Sequence, residues 1–349
     1  MKVKLSPQER ERFDKLCGIF RANERMIELY AAYLNNESTL VDKETVDLLC
    51  RECLVSSEEA FCAILGAAFG LDSEISEEDR ILENLYIRPG IRMLDPREFT
   101  DNPYYKNIKL PCVKLGDWEL KYESFKPYEG LVCDDLEIKG FYEIPCIGFF
   151  EEEFVFPAVL EKGREWMMIT PNEINTMKEP LEKMRGRVVT FGLGMGYFAY
   201  MVSRKDNVES VTVVEKDKQV IRLFEENVLP LFEKKGKIKI VCADAFEYAQ
   251  KVMPSENFDT AFVDIWHDAS DGLELYVKMK KLEKNSPCTE FHYWVERTLL
   301  STLRRMVFEQ LEPCTAEDRD PRCIEGFESM CALLSDTYLA RLAVDMKKI

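Results

Sequence analysis

The sequence predicts an α/β protein: a doubly wound parallel sheet in the carboxyl-terminal half, preceded by an amino-terminal helical bundle and a small β-rich connector. Three observations carry this reading. The glycine triplet Gly192-Leu193-Gly194-Met195-Gly196 joins an apolar run, Val188-Val189-Thr190-Phe191, to a helical stretch at residues 197–201. Apolar β-branched runs then alternate with helical patterns, as βαβ units of a parallel sheet require. Glu215, Asp244 and Asp264 each close one of those runs, and ligands of such sheets bind at the carboxyl ends of the strands.

The chain divides by composition into residues 1–90, 91–169 and 170–349. The 349 residues are enough for two or three domains. In the first part, Ser6-Pro7-Gln8-Glu9 reads as a capping box with proline at the first helical position. It opens an amphipathic helix carrying Phe13, Leu16, Phe20, Met26, Ile27 and Tyr30. A second helix is expected from Lys43 to Cys53. A third follows Ser56, with Glu59 three residues on, and a short fourth covers residues 77–86. Pro89-Gly90 ends the bundle. The connector is rich in Pro, Gly, Tyr and Phe, with strands expected at Phe141-Tyr142-Glu143-Ile144-Pro145, at Phe154-Val155-Phe156-Pro157 and at residues 165–169.

Thr170-Pro171-Asn172-Glu173 reads as a second capping box, opening a helix through Met184 that delivers the chain to the first strand of the main sheet. After the glycine turn comes Val211-Thr212-Val213-Val214 with Glu215. A helix with Val220, Ile221, Phe224 and Val228 on one face follows. The third strand, Lys237-Ile238-Lys239-Ile240-Val241-Cys242, ends before Asp244, and the fourth, Phe258-Asp259-Thr260-Ala261-Phe262-Val263, ends in Asp264. A helix at residues 272–282, a fifth strand at residues 290–295 and a helix at residues 296–311 complete the pattern. Pro313 and Asp318-Arg319-Asp320-Pro321 then read as a loop, and residues 324–346 as helix.

From about residue 170 to 311 the order of these motifs resembles the class I S-adenosylmethionine-dependent methyltransferase fold family, which includes the spermidine synthase-like aminopropyltransferases. The resemblance implies a Rossmann-like sheet of methyltransferase type. The spacing G-x-G-x-G differs from the dinucleotide fingerprint, whose last glycine falls here on Tyr197, and so argues against NAD or FAD. The resemblance implies S-adenosyl-L-methionine as cofactor, with Gly192, Gly194 and Gly196 beside its methionine part and Glu215 on the ribose hydroxyls. Asp244 would accept the adenine amino group, with Ala245 and Phe246 as an apolar wall. A plainer reading of Glu215 is an acid favouring the next helix terminus, and of Asp244 a helix N-cap. Three features depart from the family. Thr190 stands where many members have an acid, no Asn-Pro-Pro motif follows the fourth strand, and the two strands that close the family's sheet are not found. The sheet is expected to stop at five strands or to be completed from the connector.

After the fourth strand, Asp264-Ile265-Trp266-His267-Asp268-Ala269-Ser270-Asp271-Gly272 forms an acid-rich loop. Asp264, Asp268 and His267 are the candidate catalytic residues: the resemblance implies a catalytic acid at this strand end and another soon after that binds an amine, as in aminopropyltransferases, and His267 is a candidate general base. The loop suits a diamine or a hard cation; it is equally an acidic cap of the next helix, with Asp271 as the cap. The leading functional expectation is a methyltransferase acting on a small molecule of unknown identity. The alternatives are an aminopropyltransferase-like enzyme, or a member of the fold that binds nucleoside without catalysis.

The formal net charge of −17 disfavours nucleic acid and anionic membranes as partners and is compatible with a cationic or neutral small substrate, as well as with a merely solubilising surface. Oligomeric state is open, a homodimer included. The amino terminus has no apolar leader pattern and no run reaches the ~20 apolar residues of a membrane span, so a cytoplasmic location is expected. The 12 cysteines then read as reduced thiols. Cys50 and Cys53 have C-x-x-C spacing, but no second such pair follows and only His267 and His292 are available, so no metal site is expected; both cysteines are expected on an inward helix face.

Overall fold

The computed structural model describes residues 7–316. The chain opens with α1 (Pro7–Asn36), α2 (Lys43–Cys53), α3 (Ser57–Ala68) and α4 (Glu77–Leu82). The cap expected at Ser6 lies outside the described residues. The Ser56–Glu59 capping box is formed in both directions, with Glu59 N–H donating to Ser56 Oγ at 3.2 Å and Ser56 N–H donating to Glu59 at 2.8 Å. A π-helical turn at Glu83–Ile87 continues α4 into α5 (Arg88–Gly90), so Pro89-Gly90 closes a helical turn rather than a loop. Cys50 is half-buried and Cys53 exposed at the end of α2, against the expectation that both face inward; among the described residues no metal-binding group of three acids, cysteines or histidines exists.

The connector holds more strand than expected: β1 (Ile91–Met93), α6 (Pro96–Thr100), α7 (Pro103–Asn107), β2 (Val113–Leu115), β3 (Trp118–Phe125), β4 (Leu131–Lys139), β5 (Tyr142–Phe149), β6 (Phe154–Glu161) and β7 (Arg164–Met168). They form two sheets, β1-β5-β4 and β2-β3-β6-β7. The first packs on the bundle, where Phe61 stacks on Phe149 at 4.4 Å. The second shares a continuous apolar core with the carboxyl-terminal half.

That half contains α8 (Pro171–Thr176), α9 (Lys178–Lys183), β8 (Gly186–Phe191), α10 (Tyr197–Ser203), β9 (Val208–Glu215), α11 (Lys218–Asn227) and β10 (Ile238–Cys242). It continues with α12 (Ala245–Lys251), β11 (Thr260–Val263), α13 (Ala269–Leu282), β12 (Glu290–Tyr293) and α14 (Glu296–Ala316). The sheet order is β10-β9-β8-β11-β12 and every pairing is parallel. Order reverses between β8 and β11, the switch point at which open α/β sheets bind ligands. Among the described residues the sheet stops at five strands, and the connector sheets do not join it. α14 runs through Pro313, where a loop was expected; the expected loop at 318–321 and the helix at 324–346 lie outside the described residues.

The helix expected from Thr170 to Met184 is two helices, broken at Met177. Its capping box is absent: the Thr170 side chain makes no cap hydrogen bond. Glu173, expected to reach back to Thr170, turns into the molecule instead. A buried polar knot joins the three parts of the chain. Arg304 on α14 lies 3.2 Å from Glu143 on β5 and donates to the Phe141 carbonyl at 2.9 Å; Asn23 on α1 donates to the same carbonyl at 2.9 Å and accepts from Tyr86 at 2.6 Å. Both charges are almost wholly buried, and burying a paired charge is tolerated where breaking the pair is not.

Candidate functional site

The β8–β11 register sets Phe191 beside Val263, which brings Gly192 and Asp264 side by side at the switch point. Gly192 has φ 98° and Gly194 φ 50°, both left-handed. A side chain at Gly192 would collide with the Asp264 carbonyl, and one at Gly194 with the Met167 thioether. Met195 N–H donates to Met167 Sδ at 3.1 Å, so the last connector strand lies on the glycine turn. Helix α7 braces the other side: Tyr104 donates to the Met195 carbonyl at 2.8 Å, and Asn102 to the Tyr197 hydroxyl at 2.9 Å.

Glu215 ends β9 and is buried, with its carboxylate turned to the glycine turn. It accepts from Leu193 N–H at 3.2 Å and from Asp217 N–H at 2.8 Å. It does not cap α11; Asp217 does, accepting from Gln219 and Val220. Each Glu215 oxygen takes one backbone donor, and a carboxylate oxygen has a second lone pair to offer. Asp244 is exposed and N-caps α12, with Oδ1 accepting from both Phe246 and Glu247 N–H at 2.9 Å, which leaves Oδ2. One face of Phe246 carries the Lys278 ammonium, 3.8 Å from the ring centre. Both carboxylates thus keep oxygen lone pairs that the backbone does not use, Glu215 against the glycine turn and Asp244 at the start of α12.

The acid-rich loop separates into two environments. Asp268 is the N-cap of α13 and Asp271 its third residue, bonded reciprocally as a capping box; the cap is Asp268 rather than Asp271. Asp271 also receives His267 N–H at 3.1 Å and lies 3.1 Å from His267 Nδ1. Burial works against this, but donors from Asp268 and His267 hold its carboxyl below the ordinary range. His267 is exposed. Trp266 is buried, under Gly272 and stacked on Tyr293. His292 lies on β12 with its pKa pushed down by burial; Glu290 is 3.3 Å away but not aligned for a hydrogen bond.

Asp264 stands apart. Its backbone N–H donates to Phe191 O at 2.9 Å, but no donor among the described residues reaches its carboxyl, and burial pushes its pKa up to about 7. Facing it is Glu173 on the first turn of α8, raised well above the ordinary range by burial and then by the Asp264 charge. Glu173 in turn helps to hold the Tyr197 hydroxyl up at about 12, after burial. Asp264 and Glu173 are both half-buried. The Oδ1 atoms of Asn172 and Asn175, also on α8, are buried without partners. Sequence patterning missed Glu173, because a Glu three residues past a Thr fits a cap so well. It missed Met167 for want of any local signal.

No protein-family model matches the chain, and no curated protein matches it. Solved structures do. Spermidine synthase from Thermotoga maritima is similar over 44% of this chain and 56% of its own length, at 18% identity and a TM-score of 0.30. A spermidine synthase in complex with the transition state analogue AdoDATO is similar over 44% and 55%, at 18% identity and a TM-score of 0.29. Precorrin 8W decarboxylase from Methanobacterium thermoautotrophicum is similar over 39% and 70%, at 20% identity and a TM-score of 0.29. The chain thus spans about half the length of the two spermidine synthases. The fold, on its own strand order and glycine turn, is the Rossmann-like α/β fold of class I methyltransferase type. No helix of the described residues is long and apolar enough to cross a membrane.

Proposed function

We propose that the chain is an S-adenosylmethionine-dependent methyltransferase acting on a small molecule through a basic nitrogen. One observation carries the proposal: at the switch point, against the glycine turn, Asp264 presents a carboxyl that the protein itself leaves without a donor. A carboxyl whose pKa is lifted toward neutrality is suited to accept a proton from an acceptor group. Glu215 would hold the ribose hydroxyls, Asp244 Oδ2 the adenine amino group, and the turn from Gly192 to Gly196, with Ala245, would shape the rest of the nucleoside seat. When bound, the cofactor supplies a sulfonium that makes its attached carbon electrophilic. His267 and Asp268, both exposed, would meet the acceptor's distal end. A small cationic acceptor and a cytoplasmic setting belong to the same proposal.

A second reading, aminopropyl transfer, is favoured by Glu173. Besides Glu215, a second acid bears on the end of the glycine turn: the Glu173 charge acts on Tyr197, the residue after Gly196. An acid there repels the methionine carboxylate and tolerates a decarboxylated compound. Calorimetry separates the readings. S-adenosylhomocysteine is expected to bind and raise Tm. A large preference for decarboxylated S-adenosylmethionine selects the second reading, catalytic silence with nucleoside binding selects a non-catalytic binder, and binding of NAD alone refutes all three.

A further inference from the structure

Met167 stands where the glycine turn is barest. In a turn of this kind the second glycine lets a ligand come close to the backbone. Here the space beside Gly194, which a side chain would fill, holds the Met167 thioether, and Met195 N–H donates to its sulfur at 3.1 Å. A bulge sends it there. Met167 pairs with Val159 but Glu165 with Leu160, so Trp166 is one residue more than β6 provides for. Trp166 packs edge-to-face on Trp118, 4.9 Å between ring centres, and Met167 beside it is aimed at the turn. Bulges often re-aim a side chain beside a site. The turn does not need the thioether to keep its shape. Glu215 holds Leu193 N–H at 3.2 Å, the Leu193 carbonyl holds Gly196 N–H at 2.8 Å, and the Tyr104 hydroxyl holds the Met195 carbonyl at 2.8 Å. A thioether is a weak acceptor on an unbranched, flexible chain. Met167 is half-buried and β7 is the edge strand of its sheet, so the side chain has solvent to swing into.

We propose that Met167 is a specificity-determining residue of the nucleoside seat, a movable plug on the place taken by the methionine-derived tail of an S-adenosyl compound. This rests on the nucleoside-binding reading above and adds to it a residue that weighs ligands by their tails. A tailed compound pushes the side chain off Gly194 and breaks the bond between Met195 N–H and the sulfur. Adenosine, which has no tail, leaves both in place. Once the thioether has moved, Met195 N–H is free to donate to the tail.

The test is calorimetry on the full chain with S-adenosylhomocysteine and with adenosine, joined to NMR of protein labelled in its methionine methyl groups, the Met167 signal being assigned by Met167→Leu. The Met167 methyl signal should shift when S-adenosylhomocysteine is added and stay in place with adenosine. Met167→Ala should tighten S-adenosylhomocysteine binding about three- to tenfold, the worth of one neutral hydrogen bond that no longer has to be displaced. Adenosine affinity should stay within about twofold. Met167→Leu keeps the bulk and should not show the gain. The methyl signal is read on the unaltered chain and serves where the Ala variant does not fold. Binding of S-adenosylhomocysteine that leaves the methyl signal unmoved overturns the proposal while the transferase reading stands, as does an Ala variant that changes both affinities alike. Binding of S-adenosylhomocysteine by the Ala variant alone upholds it. If neither protein binds either compound, the nucleoside reading is refuted and this inference falls with it.

Discussion

Asp264 and Asp271 sit on one short segment, carry the same carboxyl, and meet opposite fates. Asp271 takes donors from two backbone amides and stands beside His267, so its charge is held and its pKa falls. The Asp264 carboxyl receives nothing from the described residues, and burial raises its pKa to about 7. The difference is a matter of backbone geometry. Helix α13 begins just after Asp268: Asp268 accepts from its Ser270 N–H, and Asp271 on its first turn reaches back to the His267 and Asp268 amides just ahead of it. Asp264, still at the strand end, is out of their reach. An acid consumed by the backbone builds the fold, and an acid left over is available to a ligand.

The contrast makes its largest mark on turnover. Asp264→Asn keeps the shape and removes the base, and should lower turnover ~100- to 10,000-fold while nucleoside affinity stays within about tenfold. Steady-state kinetics on any accepted amine, with calorimetry beside it, reads both. Glu215→Ala should act the other way round. It removes one or two charge-assisted bonds to the nucleoside, ~1.5–3 kcal/mol each, and also frees Leu193 N–H, so S-adenosylhomocysteine affinity falls more than tenfold.

A smaller effect concerns pH. Asp264 holds its proton more tightly in the folded chain than its ordinary 3.8 would allow, so the folded state loses stability as pH rises from there through about 7. Asp264→Asn escapes that loss. Its Tm should exceed the wild type's at about pH 8 and the gap should close toward about pH 5. A gap independent of pH would mean that the carboxyl ionises freely. The smallest effect belongs to the loop. Asp268→Ala removes a cap worth about 1 kcal/mol and should lower Tm by a few degrees without the turnover loss seen at Asp264.

Much of this was legible in the sequence where local and global signals agree. Three of the five parallel strands follow from apolar runs closed by acids and β8 from the run before the glycine turn, and α2 and α3 from caps and stripes. The connector was read only in part. β4 carries Asp134-Asp135 across two register shifts, which destroys the alternation that marks a strand. Asp135 is buried there because it caps α14 from a distance, receiving Thr298 N–H at 3.1 Å. The site was half legible. Positions at strand ends announced Glu215, Asp244 and Asp264, but Glu173 and Met167 enter from other elements, and only tertiary packing says where they point. Thr170 shows the hazard directly: its motif fits a cap, yet packing turned both partners elsewhere.

Carboxyl-carbon NMR titration of aspartate-labelled protein, with Asp264→Asn and Asp271→Asn to assign the signals, tests the contrast most directly. Asp264 is expected to titrate near 7, lifted by burial, while Asp271 titrates below its ordinary 3.8. Coincident titration of the two near the ordinary carboxylate value would contradict the account.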